Sequence, residues 1–168
     1  MKTKLVFITG APGVGKTETG QKLIGFCPNN VALIDTDKLG GIQPFIIDDD
    51  FYELVSKNLK ACINNFHDHK YQLLIITGVL IPDGIYKHII DFISDKTKFE
   101  YEIYGLQADE ETIINRINND NKGQDSIQRK KWIHVNEEML HIEKIKTIDT
   151  TNFSIDEVVY AIRLLEML

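Results

Sequence analysis

The sequence is poor in positive charge and in long apolar runs, and each shortage argues against a class of protein. Its 19 lysines and arginines are outnumbered by 25 aspartates and glutamates, which gives a formal net charge of −6 at pH 7. Proteins that track long nucleic acids usually carry a basic surface, so the charge balance argues against a nucleic-acid partner. No stretch approaches the roughly 18 consecutive apolar residues of a membrane-spanning helix, so we expect no membrane partner.

Cysteine is also scarce. Cys27 and Cys62 match no metal-binding or disulfide spacing, which is typical of buried thiols in a reducing cytoplasm. The apolar run that begins at Leu5 meets Gly10 too soon for a signal peptide. With 168 residues and 43% hydrophobic content, the chain is expected to form one cytoplasmic domain with a substantial core, either as a monomer or as a dimer.

Strand and helix patterns alternate along the chain. The runs that predict strands are Lys4 to Thr9, Val31 to Ile34, Leu73 to Thr77, Phe99 to Leu106 and Lys146 to Ile148. Helical spacing covers Lys16 to about Phe26, Phe51 to Phe66, Asp83 to Ile93, Asp109 to about Ile117, Gln128 to Glu143, and the chain from Ile155. This alternation predicts an α/β fold, a three-layer sandwich in which helices cover both faces of a five-stranded parallel sheet.

A glycine loop is the most specific signal. Gly10-Ala11-Pro12-Gly13-Val14-Gly15-Lys16-Thr17 matches G-x-x-x-x-G-K-[ST] at every fixed position, with a strand before it and a helix after it. In such a loop, backbone N–H groups converge on phosphate at a helix N-terminus. Lys16 would reach the β- and γ-phosphates, and the Thr17 hydroxyl would ligate Mg²⁺. The sequence therefore predicts a P-loop NTPase fold that binds a nucleoside triphosphate.

Motifs of other P-loop classes are missing. Asn121-Lys122-Gly123-Gln124 lacks the aspartate of the N-K-x-D guanine motif. The third strand ends in Thr77-Gly78, without the carboxylate of a mechanical ATPase. These departures argue against a GTPase and against a motor protein.

Two carboxylates follow the second strand, at Asp35 and Asp37. Residues i and i+2 of an extended chain point the same way, so both side chains are expected on one side at the carboxyl end of the sheet. One carboxylate there would orient Mg²⁺, and the other would accept the proton of an attacking hydroxyl. A capped turn with solvated aspartates is the alternative.

The chain resembles the small P-loop kinases of the adenylate kinase-like superfamily, of the shikimate kinase, gluconate kinase and chloramphenicol phosphotransferase type. The resemblance is carried by the glycine loop, Asp35-Thr36-Asp37, Leu106-x-Ala108-x4-Ile113-x2-Arg116 and Ile148-Asp149-Thr150-Thr151-Asn152. It implies strand order 2-3-1-4-5, MgATP as the phosphoryl donor, and a lid over about residues 118 to 131 that excludes water. The nucleotide would be held by Gly10, Pro12, Gly13, Val14, Gly15, Lys16, Thr17, Thr150 and Thr151.

Catalytic roles are predicted for the two aspartates and for three cationic residues. Asp37 is predicted as the base and Asp35 as the residue that positions Mg²⁺ together with Thr17, although the two aspartates could exchange roles. Lys16, Arg116 and Arg129 would stabilise charge on the phosphates. Asn119 and Asp120 stand where the family often has a second lid arginine, and the glycine triplet of shikimate kinase is absent after the third strand.

The acceptor-binding region is predicted at about residues 38 to 66. All three arginines lie at or after position 116, so this region lacks the bidentate clamp that grips a phosphorylated acceptor. The triplet Asp48-Asp49-Asp50 adds negative charge, unless it only caps a helix. Phe45, Phe51 and Tyr52 either line the acceptor pocket or pack a helix.

The sequence thus predicts an ATP-dependent kinase that phosphorylates a hydroxyl of a small, neutral or cationic acceptor. A nucleoside or nucleotide kinase, a 5′-hydroxyl polynucleotide kinase, and a nucleotide-binding regulatory protein without turnover are the alternatives.

Overall fold

The computed structural model describes residues 2–27, 30–40, 42–43, 46–120 and 129–167. Its strands are β1 Thr3–Gly10, β2 Val31–Asp35, β3 Leu73–Thr77, β4 Phe99–Gln107 and β5 Ile145–Asp149. Its helices are α1 Lys16–Ile24, α2 Asp49–Asp68, α3 Lys87–Ile93, α4 Glu110–Asn119, α5 Val135–Glu138 and α6 Ile155–Glu166.

The five strands form one parallel sheet in the order β2-β3-β1-β4-β5. This confirms the predicted fold and strand order. The central strand β1 is apolar on both sides of the sheet: Val6 and Ile8 belong to one core cluster, and Leu5 and Phe7 belong to the other. A strand buried on both faces needs a continuous apolar run, which is what the sequence shows here.

Each face of the sheet is covered by helices that bury one apolar stripe. Helices α1, α4 and α6 contribute Leu23, Ile113 and Ile162 to the cluster on one side. Helices α2 and α3 contribute Leu59 and Ile89 to the cluster on the other side. In the part of the chain that the structure describes, no helix is long and apolar enough to cross a membrane.

Two predicted helices differ from the observed ones. The predicted helix from Asp83 begins with a π-helical turn, Pro82–Tyr86, in which Gly84 departs from helical geometry at φ −106° and ψ −129°, so regular helix α3 starts only at Lys87. The continuous helix predicted for Gln128 to Glu143 is wrong, because the described part has turns, short helix α5 and a 3₁₀ turn, Met139–His141.

Within that second predicted helix, contacts with a distant part of the chain hold the short helix α5. The carbonyl of Asn136 accepts a hydrogen bond from Gln107 Nε2 at 3.0 Å, and Asn136 Nδ2 donates to the Ala108 carbonyl at 3.0 Å. These bonds fasten α5 to the end of β4. Ile142 then adopts an extended conformation and the chain enters β5.

All parallel strands end at the same edge of the sheet. Gly10, Asp35, Thr77, Gln107 and Asp149 are the last residues of β1, β2, β3, β4 and β5. The register pairs Asp35 with Thr77, and Gln107 with Asp149. This edge brings together the segments that the sequence predicts as functional.

Candidate active site

The glycine loop turns sharply between β1 and α1. Gly10, Gly13 and Gly15 have φ values of 143°, 88° and 94°, a region that L side chains rarely adopt. At Gly10 a Cβ atom would also lie 2.3 Å from the Leu106 carbonyl oxygen. The fold of this loop therefore depends on glycine, as the motif predicted.

Lys16 lies in the loop with its side chain buried. It is 8% exposed, and its Nζ donates a hydrogen bond to the Ala11 carbonyl at 2.9 Å. Burial lowers the pKa of its ammonium to about 8, although the charges of Asp37 and Asp35 act in the opposite direction. The site thus holds a poorly solvated cation beside the glycine loop at the start of α1.

The donor set fits a magnesium-bound nucleotide. Backbone N–H groups at the N-terminus of α1 and the Lys16 ammonium suit phosphate oxygens. Thr17 follows Lys16 in the first turn of α1, and Asp35 is the last residue of strand β2. The Thr17 hydroxyl and the Asp35 carboxylate are oxygen ligands of the kind that Mg²⁺ prefers. Thr17 and Asp35 are the residues that would hold this ion, directly or through water.

Asp35 and Asp37 do not lie on one extended strand. Asp35 ends β2 and caps a 3₁₀ turn, Thr36–Lys38, where its Oδ1 accepts a hydrogen bond from the Asp37 backbone N–H at 3.2 Å. The expectation that an extended chain aligns the two carboxylates is therefore wrong. The turn nevertheless keeps both near Lys16, since both charges raise the pKa of its ammonium, Asp37 more strongly.

The two aspartates have different surroundings. The side chain of Asp35 is 11% exposed, and its Oδ2 lies 3.5 Å from the Lys38 ammonium. Asp37 is exposed, and no described side chain forms a hydrogen bond or an ion pair with its carboxylate. Asp35 is thus fixed at the sheet edge, while Asp37 is open to an incoming molecule.

Thr36, which separates the two aspartates, is held by a close contact that the sequence analysis missed. Thr36 is buried and packs against Gly78, the residue after β3, where a Cβ atom would lie 1.7 Å from Thr36 Oγ1. Gly78 also has a φ of +150°. No local signal announces this contact, because the residues are 42 positions apart and meet only through the pairing of β2 with β3.

Arg116 faces the loop after β5. Its guanidinium donates to Thr150 Oγ1 at 3.0 Å and to the Thr150 carbonyl at 2.6 Å. Thr150 Oγ1 donates in turn to the Gln107 carbonyl at 2.8 Å, and Thr151 Oγ1 accepts from the Asp109 N–H at 3.0 Å. Arg116 and the two threonines thus fasten the β5–α6 loop to α4, while their contacts with nucleotide stay predictions.

Arg129 lies close enough to the glycine loop for its charge to lower the pKa of Lys16. Its Nη1 donates to Asp120 Oδ2 at 2.9 Å, so Asp120, at one of the two positions where the family often has a second lid arginine, forms an ion pair with Arg129. These two residues flank the central part of the predicted lid, 121–128, which lies outside the described residues. Closure of a lid over residues 118 to 131 stays a prediction.

A cleft of about 420 Å³ opens beside the β5–α6 loop. It lies between helix α5 and the ends of strands β4 and β5. Strand β5 forms one edge of the sheet, and β2 forms the other. The lining residues are Gln107, Ala108, Asp109, Asn136, Glu137, Asp149, Thr151 and Asn152. The predicted acceptor region, which follows β2, therefore lies at the other edge of the site.

In the acceptor region, the aspartate triplet supports helix structure. Asp48 caps α2 by accepting from the Phe51 N–H at 2.9 Å. Asp49 pairs with Lys87 at 3.0 Å and with His88 at 3.1 Å, contacts that lower the pKa of its carboxyl. Two of the three charges are thus engaged within the protein, so the capping alternative explains more of this motif than an electrostatic role does.

The aromatic residues predicted near the acceptor also contribute to packing. Phe51 and Tyr52 are partly buried against the core between α2 and the sheet, with ring centroids 6.1 Å apart. Burial raises the pKa of the Tyr52 phenol. Phe45 lies outside the described residues.

Comparisons with known proteins establish the fold. No protein-family model matches the sequence, and no curated protein is significantly similar to it. A tunicamycin resistance protein from Deinococcus radiodurans superposes with a TM-score of 0.71 at 17% identity, over 99% of this chain and 97% of that one. The chain has a P-loop kinase fold.

Two further structures agree over nearly the whole chain. A gluconokinase from Sinorhizobium meliloti 1021 matches at a TM-score of 0.69 and 13% identity, covering 98% of this chain and 94% of that one. A sugar kinase from Janibacter sp. HTCC2649 matches at a TM-score of 0.72 and 13% identity, covering 96% of this chain and 93% of that one. At these identities the likeness establishes architecture, and activity has to be argued from the site.

Proposed function

We propose that this protein is an ATP-dependent kinase that transfers the γ-phosphoryl group to a hydroxyl of a small, neutral or cationic molecule. The observation that carries the proposal is the juxtaposition of the buried Lys16, in its glycine loop, with the carboxylates of Asp35 and Asp37. A cation for the phosphates and a carboxylate for the acceptor are the two elements that phosphoryl transfer to a hydroxyl requires.

The roles follow from exposure. Asp37, which is open and unpaired among the described side chains, would accept the proton of the acceptor hydroxyl. The hydroxyl oxygen then forms a bond to the γ-phosphorus, the bond from that phosphorus to the bridging oxygen breaks, and ADP leaves. Asp35 and Thr17 would hold Mg²⁺, which would neutralise negative charge on the phosphates when bound.

Two arginines have distinct places in the proposal. Arg129, whose charge reaches Lys16, would stabilise negative charge on the transferring group. Arg116, which is bonded to Thr150, would shape the nucleoside side of the site by holding the β5–α6 loop. A direct contact of Arg116 with the phosphates, which the resemblance implies, stays a prediction.

The acceptor class rests on charge near Asp37. The described part of the region from 38 to 66 contains no arginine, and Lys38 is occupied by Asp35. An anionic acceptor would therefore meet two carboxylates without a bidentate partner. The similar folds include a gluconokinase, a sugar kinase and a tunicamycin resistance protein, so sugars and antibiotic-like alcohols are the acceptors to try first.

We also infer that the protein works in the cytoplasm, where ATP is available and free thiols such as Cys27 and Cys62 persist.

The test is ADP formation from MgATP across a panel of acceptors. The panel holds sugars, nucleosides, nucleoside monophosphates, hydroxylated antibiotics and 5′-hydroxyl oligonucleotides. We expect acceptor-dependent turnover that falls at least about 100-fold in Asp37→Asn, consistent with the loss of a general base. Asp91→Asn, an exposed aspartate on α3, is the matched control and should behave as the unchanged protein.

Other outcomes discriminate the alternatives. Turnover with monophosphates alone would overturn the acceptor class and leave a nucleotide kinase. Turnover with oligonucleotides alone would favour a polynucleotide kinase. MgATP binding without turnover on any acceptor would contradict the kinase proposal and favour a regulatory protein.

A further inference from the structure

The hydroxyl group of Thr77 is buried without a partner. Thr77 is the last residue of β3 and is 1% exposed. Its Oγ1 forms no hydrogen bond with any of the residues that the structure describes. Buried hydroxyl groups are ordinarily hydrogen-bonded, as Thr9 shows near the end of β1, where its Oγ1 accepts from the Leu80 N–H at 2.8 Å. The Thr77 hydroxyl therefore calls for a partner from outside the chain.

The side chain of Thr77 lies on the face of the sheet that α1 covers. A Cβ atom at Gly20 of α1 would be 2.5 Å from Thr77 Cγ2 and 3.6 Å from Ile75 Cγ2. The methyl group of Thr77 thus packs beneath Gly20. Lys16 precedes Gly20 by four residues, on the same side of the helix. Thr77 therefore lies beneath the first turns of the helix that begins with the buried ammonium.

Asp35 is a polar neighbour of Thr77 on this face. The register pairs Thr77 with Asp35 of β2 on one side and with Ile8 of β1 on the other. Leu33, two residues before Asp35, also packs beneath α1, since a Cβ atom at Gly20 would be 3.1 Å from Leu33 Cδ1. Side chains two residues apart on a strand share a face, so Asp35 and Thr77 project side by side toward α1. No hydrogen bond joins them.

The two side chains offer hydrogen-bond acceptors to the same small ligand. The Asp35 carboxylate is 11% exposed and accepts from the Asp37 N–H, which leaves further lone pairs on its oxygens. The hydroxyl oxygen of Thr77 is also an acceptor. A water molecule bound to a metal ion donates both of its hydrogens, and such outer-shell acceptors orient the ligands of the ion. This pair therefore suits a water of the magnesium shell.

We propose that Thr77 is a positioning residue for the magnesium ion that Thr17 and Asp35 would hold. Its hydroxyl accepts a hydrogen bond from a water of that ion, beside the Asp35 carboxylate. The inference rests on the proposed function, because the ion arrives with the nucleotide. The hydroxyl then has its partner only in the nucleotide complex, and the protein without nucleotide is destabilised by burying it unpaired.

The experiment measures Mn²⁺ binding, in place of Mg²⁺, to the protein saturated with ADP, by electron paramagnetic resonance. Thr77→Val preserves the shape and removes the hydroxyl, so the dissociation constant of Mn²⁺ should rise about tenfold. Thr77→Ser retains the hydroxyl and should stay within about threefold of the unchanged protein. In EDTA without nucleotide, Thr77→Val should raise the melting temperature by about 3 °C, because the unpaired hydroxyl is gone.

Thr19→Val is the matched control. Thr19 is fully buried in α1, and its hydroxyl also lacks a hydrogen-bond partner among the described residues. A Cβ atom at Gly15 would lie 2.7 Å from Ile155 Cδ1 and 4.0 Å from Thr19 Oγ1, which places Thr19 on the side of α1 that meets α6. This variant should raise the melting temperature in the same way and leave the affinity for Mn²⁺ unchanged.

Four results would overturn the inference. They are an unchanged Mn²⁺ affinity in Thr77→Val, an equal loss of affinity in Thr77→Ser, an equal loss in Thr19→Val, and a lower melting temperature of Thr77→Val without nucleotide. The last result would show that the hydroxyl already has a partner in the free protein. Circular dichroism establishes that each variant is folded, and Thr77→Ala replaces an unfolded Thr77→Val with the same expected loss of affinity.

The readout separates this inference from the proposed function because it needs no acceptor. If the unchanged protein binds Mn²⁺ and ADP but phosphorylates no acceptor, the kinase proposal is contradicted, and the Mn²⁺ affinities still decide the role of Thr77. If the unchanged protein binds no Mn²⁺ in the presence of ADP, both proposals are overturned.

Discussion

Replacing the loop lysine, Lys16, by methionine should stabilise the protein in the absence of nucleotide, although it should abolish function. The ammonium of Lys16 is buried, and its pKa falls from 10.5 to about 8 on folding. This difference in pKa means that keeping the ammonium charged at pH 7 lowers the free energy of unfolding by about 3 kcal/mol. Methionine retains the aliphatic packing but loses the hydrogen bond to the Ala11 carbonyl, worth about 1 kcal/mol. We therefore expect a net gain of about 2 kcal/mol.

The pH dependence gives the sharper signature. Because the folded pKa of Lys16 is lower than the unfolded one, the unfolded chain binds more protons between pH 8 and pH 10.5. The stability of the unchanged protein relative to Lys16→Met should therefore rise through this window. The advantage of the variant should be constant below about pH 8, fall through zero before about pH 10.5 and reverse above it, because the variant lacks the hydrogen bond to the Ala11 carbonyl, worth about 1 kcal/mol.

Urea unfolding with EDTA and without nucleotide, at half-unit steps from pH 7 to pH 10.5, measures this difference. Lys22→Met is the matched control, since Lys22 is exposed on the same helix and its surface ion pair with Asp156 contributes little. A Lys16→Met variant that is less stable at pH 7, or whose advantage does not change with pH, would refute the reasoning.

Three further predictions concern the contacts that shape the site and the fold. Gly78→Ala should lower the free energy of unfolding by about 2 kcal/mol and reduce turnover at least about tenfold, because the added Cβ would displace Thr36, which lies between the two aspartates. Urea unfolding measures the first effect and ADP formation the second. Arg116→Lys should weaken ATP binding about tenfold with a smaller effect on kcat, as read by calorimetry and steady-state kinetics, because an ammonium cannot make the same set of bonds to the β5–α6 loop. Glu166→Gln should lower the free energy of unfolding by about 2 kcal/mol, because Lys4 loses the buried carboxylate with which it pairs; urea unfolding measures the loss.

A matched variant or a contrary result tests the stated cause of each of these three effects. Gly25→Ala, at a glycine with φ −67°, should be nearly neutral, and equal losses at Gly25 and Gly78 would contradict the steric argument. Unchanged nucleotide affinity in Arg116→Lys would remove Arg116 from the proposal. Glu100→Gln breaks an exposed pair with Lys2, so a loss as large as that of Glu166→Gln would show that burial does not set the cost.

Much of the fold could be predicted because the determining signals are local. The strand Leu73–Thr77 is observed with its predicted bounds, since a fully buried parallel strand is a short apolar run between polar neighbours. The glycine loop could be placed because its backbone angles permit little except glycine. Prediction failed where distant groups compete with local pattern, as at Asn136, whose bonds to the end of β4 fasten the short helix α5.

By itself, the sequence determined the order of strands and helices, the glycine loop, and the residue types that phosphoryl transfer requires. Those properties depend on apolar periodicity and on backbone angles, which neighbouring residues set. Tertiary structure decided how the residue types are arranged. It folded Asp35 and Asp37 into a 3₁₀ turn held by Gly78, directed Arg116 to the loop after β5, and engaged Asp49 with α3. Each of these contacts joins residues that only the pairing of strands and the packing of helices bring together, so no local pattern could specify them.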